Sequence, residues 1–88
     1  MTALYQKAKN VSASGLVKTG AGSVKGIFVA SATTGTIKLW DNTAGSGPVL
    51  VNTFTVAPGV FYELGHMSFA TGLFITIGGT VDCTIAYD

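Results

Sequence analysis

The sequence predicts an all-β protein, a small antiparallel β-sandwich or jelly-roll-like barrel of about seven short strands. Three observations carry this. Short runs rich in Val, Ile, Thr and aromatic residues recur at a spacing of about ten residues. Twelve glycines and two prolines in 88 residues fall largely between those runs, where turns need them. No stretch keeps the 3.6-residue apolar period of an amphipathic helix. A chain of this length makes one domain with a thin core, and the expected organisation is an N-terminal arm over residues 1–10 followed by a single β-sandwich domain over residues 11–88.

Met1 to Asn10 carries Lys7 and Lys9 and no clear period, as an arm ordered by a neighbour would. Val11 to Thr19 reads as a weak first strand anchored by Leu16 and Val17, ended by the Gly20 to Ser23 cluster. Val24 to Ser31 and Thr36 to Asn42 read as the two arms of a hairpin, with Gly35 supplying a positive φ. A three-residue loop, Thr33 to Gly35, opposes Phe28 to Trp40 and Val29 to Leu39, whereas a four-residue loop opposes Phe28 to Leu39 and Ile27 to Trp40. Both faces then carry large apolar groups. Asp41 to Pro48 is a polar, exposed loop whose Asp and Asn cap turns. Pro48 opens a strand from Val49 to Ala57, Pro58-Gly59 suits a type II turn, and Val60 to Leu64 forms another short strand before Gly65 to Thr71 breaks the pattern.

Leu73 to Asp88 is the most strongly patterned stretch. A two-residue loop at Gly78-Gly79 would set Ile75 against Asp82 and discard the apolar face, because a slip of one residue inverts every side chain. A three-residue loop, Gly78 to Thr80, pairs Ile77 with Val81, Ile75 with Cys83 and Leu73 with Ile85 on one face. A hairpin with a buried row of Ile75, Ile77, Val81, Cys83 and Ile85 is therefore expected.

Composition narrows the function. Hydrophobic residues make up 48% of the chain and charged ones only 10%, which leaves little charge to keep copies apart and favours self-association. Five lysines, no arginine and a net charge of +1 argue against a nucleic-acid partner, since base reading leans on bidentate Arg and phosphate binding on dense cationic patches. No apolar run approaches the ~20 residues of a membrane-spanning helix, so no membrane partner is expected. The N-terminus lacks the pattern of a signal peptide, and the one cysteine has no intrachain partner; both fit synthesis in a cytoplasm.

No enzymatic motif is present. One His and one Cys give too few soft donors for a metal site, and Cys83 lies on the expected core face, where a thiol is inert. His66 is expected in a loop or interface, as the one side chain able to change charge near neutral pH. Asp41, Glu63, Asp82 and Asp88 form no close pair in sequence, and the glycines open no helix that could cradle phosphate. Catalytic residues, cofactors and metals are therefore expected to be none. Trp40, Phe28 and Phe74 stand out as core packing, as a subunit interface or as a stacking platform for a sugar. With Lys7 and Lys9 they make up the candidate interface: Phe28, Trp40, Phe74, Lys7 and Lys9.

The segments GIFVASATTGTIKLWDN, PVLVNTFTVAPGVFYELGHMSF and ATGLFITIGGTVDCTIAYD together resemble a class of small phage virion structural proteins, over residues 11–88. The resemblance lies in the pattern of strands and turns, and no functional residue carries over from a motif. It implies a non-catalytic capsid decoration (cement) protein that forms a homo-oligomer, with a trimer favoured, and stabilises the lattice of the major capsid protein. It also implies residence on the capsid surface of a virion assembled in the host cytoplasm. The alternative is a carbohydrate- or receptor-binding module of a phage fibre, tail or head appendage.

Overall fold

The computed structural model describes residues 7–88, which form six antiparallel strands and no helix. In chain order these are β1 (Lys7–Val11), β2 (Gly15–Thr19), β3 (Gly22–Trp40), β4 (Val49–Thr55), β5 (Val60–Phe69) and β6 (Gly72–Tyr87). The all-β class agrees with the sequence. The strands number six where seven were expected, and two of them are long.

β3 and β6 are the frame. They pair from Val24 opposite Tyr87 to Trp40 opposite Phe74. The outer side of β6 carries β1 on its C-terminal half and β2 on its N-terminal half, and the outer side of β3 carries β5 on its N-terminal half and β4 on its C-terminal half. One half of the sheet thus runs β1-β6-β3-β5 and the other β2-β6-β3-β4.

An open sheet leaves one face of its strands to water, yet Ile27, Val29, Ile37, Leu39, Leu73, Ile75, Cys83 and Ile85 are all at 0% exposure. These residues share one face of β3 and β6, and no described helix covers it. The sheet covers itself: its two halves fold face to face into a two-layer sandwich with an aliphatic core. Its thinnest dimension, 17 Å, accommodates two sheets spaced at ~10 Å. On the β4/β5 side, Phe54, opposite Ile37, meets Tyr62, opposite Ile27, edge to face with centroids 5.4 Å apart. The Tyr62 hydroxyl accepts a hydrogen bond from the Ala57 amide at 2.8 Å, fixing the ring beneath the turn that joins the layers.

The fold between layers is made inside the two long strands. β3 advances seven residues from Val29 to Thr36 while β6 advances five from Gly78 to Cys83, so two extra residues bulge from β3 and bend it. Thr34 takes a left-handed φ of 48° and Gly79 one of 68° at this corner. A Cβ on Gly79 would run into the Thr34 carbonyl oxygen, and one on the buried Gly35 into the Val81 side chain. The expected hairpins at Thr33 to Gly35 and Gly78 to Thr80 are therefore corrected: both segments are corners of continuous strands, and the positive φ belongs to Thr34 instead of Gly35.

The same pairing revises three smaller expectations. Lys7 to Asn10, assigned to the arm, form most of β1, and the rest of the arm lies outside the described residues. Val11 to Thr19 is not one strand, because residues 12–14 cross from the first layer to the second. β5 runs on through Phe69, past a bulge where Gly65 and His66 have φ of 64° and 60°.

Candidate functional site

With the core apolar throughout and no buried polar side chain among the described residues, the side chains able to meet a partner stand on the outer faces of the two layers. Strand register fixes which of them are neighbours. On the first layer Asn10, Thr84, Phe28 and Phe61 form one row across four strands, and Ala8, Ala86, Gly26 and Glu63 form the next. On the second layer the row is Leu16, Phe74, Trp40 and Val49. Phe28 and Trp40, expected to face each other across a hairpin, lie on different layers. Trp40 and Phe74 are brought together as direct cross-strand neighbours.

The second-layer row is largely spoken for at its centre. The Lys38 ammonium lies 4.3 Å from the Trp40 ring centroid, a cation–π contact that occupies the ring face. The Trp40 indole N–H donates to Thr76 Oγ1 at 2.9 Å. Phe74 is overlaid by the 41–48 loop, whose Gly45 approaches so closely that a Cβ there would lie 3.2 Å from the ring. A sugar stacking on this platform would have to displace Lys38 from Trp40 and the 41–48 loop from Phe74.

That loop is latched by Asp41. Its carboxylate accepts from the Thr71 amide at 2.9 Å, from the Ala70 amide at 3.1 Å and from Gly72 at 3.4 Å. These donors hold the carboxyl below its ordinary range, the Thr71 bond contributing most. The Asp41 amide donates to the Pro48 carbonyl and the Asn42 side-chain amide to Ser46, so the loop is tied at both ends. Turn capping, read from the sequence, is what Asp41 does, across 30 residues of chain rather than locally.

On the first layer the apolar side chains are bare. Phe28 is 44% exposed and Phe61 45%, and the Phe61 ring lies over Gly26, filling the space a side chain there would need. Ala8, Ala86, Gly26 and Thr84 are the small residues of this face, Glu63 stands at its β5 side, and Asn10 donates to Asp82 at 2.9 Å. The two lysines of the candidate interface flank Ala8 at the β1 edge: Lys7 lies opposite Tyr87, and Lys9 points inward and donates across the layers to the Leu16 carbonyl at 3.3 Å. Beside it, between β1 and β2, a groove of about 270 Å³ is floored by Val11, Val17 and Ile75.

Comparison with known protein families, with curated proteins and with solved structures finds no match to this chain. The site chemistry must therefore be read from its own residues. Cys83 is buried on the core face, with burial and then the neighbouring Asp82 charge pushing its thiol up to about 11. His66 is exposed in the β5 bulge, so the two share no site. Among the described residues no three His, Cys, Asp or Glu side chains gather as metal ligands. Sequence reasoning missed Phe61, Leu16 and Val49, since each joins a row only through a register that single-strand periodicity does not contain.

Proposed function

We propose that the protein is a non-catalytic structural protein that works by burying its outer sheet faces against copies of itself and against neighbouring subunits. The observation carrying this reading is the distribution of side chains: large apolar groups stand bare on the sheet surface, whereas the convergent polar groups at Asp41, Asn42, Trp40 and Thr76 are consumed in internal hydrogen bonds. The setting comes from the resemblance to small phage virion proteins, which makes the neighbours capsid subunits and the role decoration of a capsid lattice. Linked contacts from an oligomer engage several subunits together and raise effective concentration without new chemistry. The resemblance carries a trimer as the expected copy number. Electron microscopy of virions labelled for this chain tests the reading: a regular lattice at capsid symmetry positions is expected, a few copies at a tail or fibre would move the protein to an appendage, and no label on the virion would end the proposal.

A further inference from the structure

We propose that the free edge of β1 takes up an extended acidic segment of a neighbouring subunit as an added strand, with one aliphatic side chain of that segment seated in the groove between β1 and β2. This deepens the association reading by naming the chemistry of a partner, and rests on it.

An edge strand offers the backbone N–H and C=O groups that point away from its neighbour, and only a regular edge presents them in step with an incoming chain. β4 shifts register twice against β3, β2 shifts between Leu16 and Lys18, and β5 is interrupted by the left-handed pair Gly65-His66. β1 pairs with β6 through five residues without a shift, and no described residue pairs with its other side. It is the one edge suited to strand addition, in which main-chain hydrogen bonds hold the guest and pockets for alternate side chains select it.

Selection comes from the inward side of β1. Lys7, Lys9 and Val11 lie opposite Tyr87, Ile85 and Cys83 and share that side, whereas Ala8 and Asn10 face outward. A guest strand beside β1 therefore sets its own inward side chains against Lys7, Lys9 and Val11 in turn. The first two positions favour carboxylates. Neither β1 nor β2 carries an acidic residue, Lys9 bonds only the Leu16 carbonyl among the described residues, and Asp82 is engaged by Asn10 on the outer face. The third position opens on the groove, whose floor of Val11, Val17 and Ile75 suits an aliphatic side chain. The guest pattern is acid-x-acid-x-aliphatic, read in either direction. This chain does not supply it, since none of its four carboxylates lies two residues from another. A second β1 is disfavoured as well, because pairing about Ala8 or Lys9 sets lysine against lysine. The guest is therefore a different chain.

Amide chemical shifts of the full chain, titrated with the peptide Thr-Leu-Thr-Glu-Thr-Glu-Thr, test this. Changes are expected over Lys7–Val11 and residues 15–17, and the version with Lys in place of both Glu is expected to bind about tenfold or more weakly. Lys7→Glu combined with Lys9→Glu is expected to reverse that order. Gly15 lines the groove with nothing within 4 Å of its Cβ position, so Gly15→Leu fills the groove and is expected to remove the advantage of the Leu peptide over one with Ser in its place. Of the two peptides N-methylated on alternate amides, one is expected to lose binding and the other to keep it. Equal binding of the Glu and Lys peptides, binding indifferent to both N-methylations, or no change at millimolar peptide would overturn the strand addition. None of these outcomes touches the outer-face reading, which the virion label decides on its own.

Discussion

Replacing Gly79 by alanine isolates the corner that turns one sheet into two layers. Two costs add there. A left-handed φ of 68° charges any L side chain about 1–2 kcal/mol. The new Cβ would also collide with the Thr34 carbonyl oxygen and come within 2.8 Å of its carbon and 3.0 Å of the Thr33 oxygen, all backbone atoms that have no rotamer to escape into. Relief requires the corner itself to open, so the total should reach about 3–4 kcal/mol, a large share of the ~5–13 kcal/mol that a domain of this size has. Gly59 is the internal control, having a φ of 77° with nothing within 4 Å of its Cβ position. Gly59→Ala should therefore pay the backbone cost alone. Urea unfolding followed by circular dichroism measures both, and with m near 1 kcal/mol/M the Gly79 variant should lose about 3 M of midpoint against 1–2 M for the control. Equal losses at the two positions would mean that residue 79 occupies an open turn, and the two-layer corner would be wrong.

Ile75→Ala, at a fully buried position lining the floor of the β1/β2 groove, should cost about 2–5 kcal/mol by the same titration, and a loss under about 0.5 kcal/mol would refute its place in the core. Cys83 should resist thiol reagents at pH 8 in the folded protein and react at once in denaturant. Because its folded pKa is raised, the stability it contributes as a neutral thiol is complete below the unfolded value near 8.5–9 and lost as pH climbs through about 11; Cys83→Ala should remove that alkaline component from a pH series of melting temperatures. Asp41 has the opposite sign. Its lowered pKa gives stability present above the ordinary carboxylate range and lost as pH falls through the folded value, so Asp41→Asn should be less stable than wild type at pH 7 and converge with it in acid.

The inward row of β6 was legible because alternation is local. The link between its two halves was not. Ile77 and Val81 fall on the same face whether Gly78 to Thr80 closes a three-residue hairpin or simply continues the strand, since both arrangements preserve odd-numbered parity. The same ambiguity holds for Val29 and Leu39 about Thr33 to Gly35. Choosing between them takes the partner strand: β3 and β6 pair with each other from end to end apart from their bulges, and each segment read as a turn lies opposite the other. The candidate interface divided for the same reason. Trp40 and Phe74 met, Phe28 went to the other layer, and its neighbour Phe61 became visible only through pairing.

Because β3 and β6 run through both layers, neither layer can come apart alone. Pairing begins most cheaply at Trp40 and Phe74, the end nearest in sequence, and must travel through the corner before Val24 reaches Tyr87. Such non-local pairing is slow to form, and half of it leaves an uncovered aliphatic face with nothing against it. The backbone amides at the middle of the two long strands should then exchange with solvent only through complete unfolding, while those of β1, β2, β4 and β5 open at smaller free energies. The molecule behaves as one cooperative unit hung on a single pair of strands, with four short segments free to breathe at its margins.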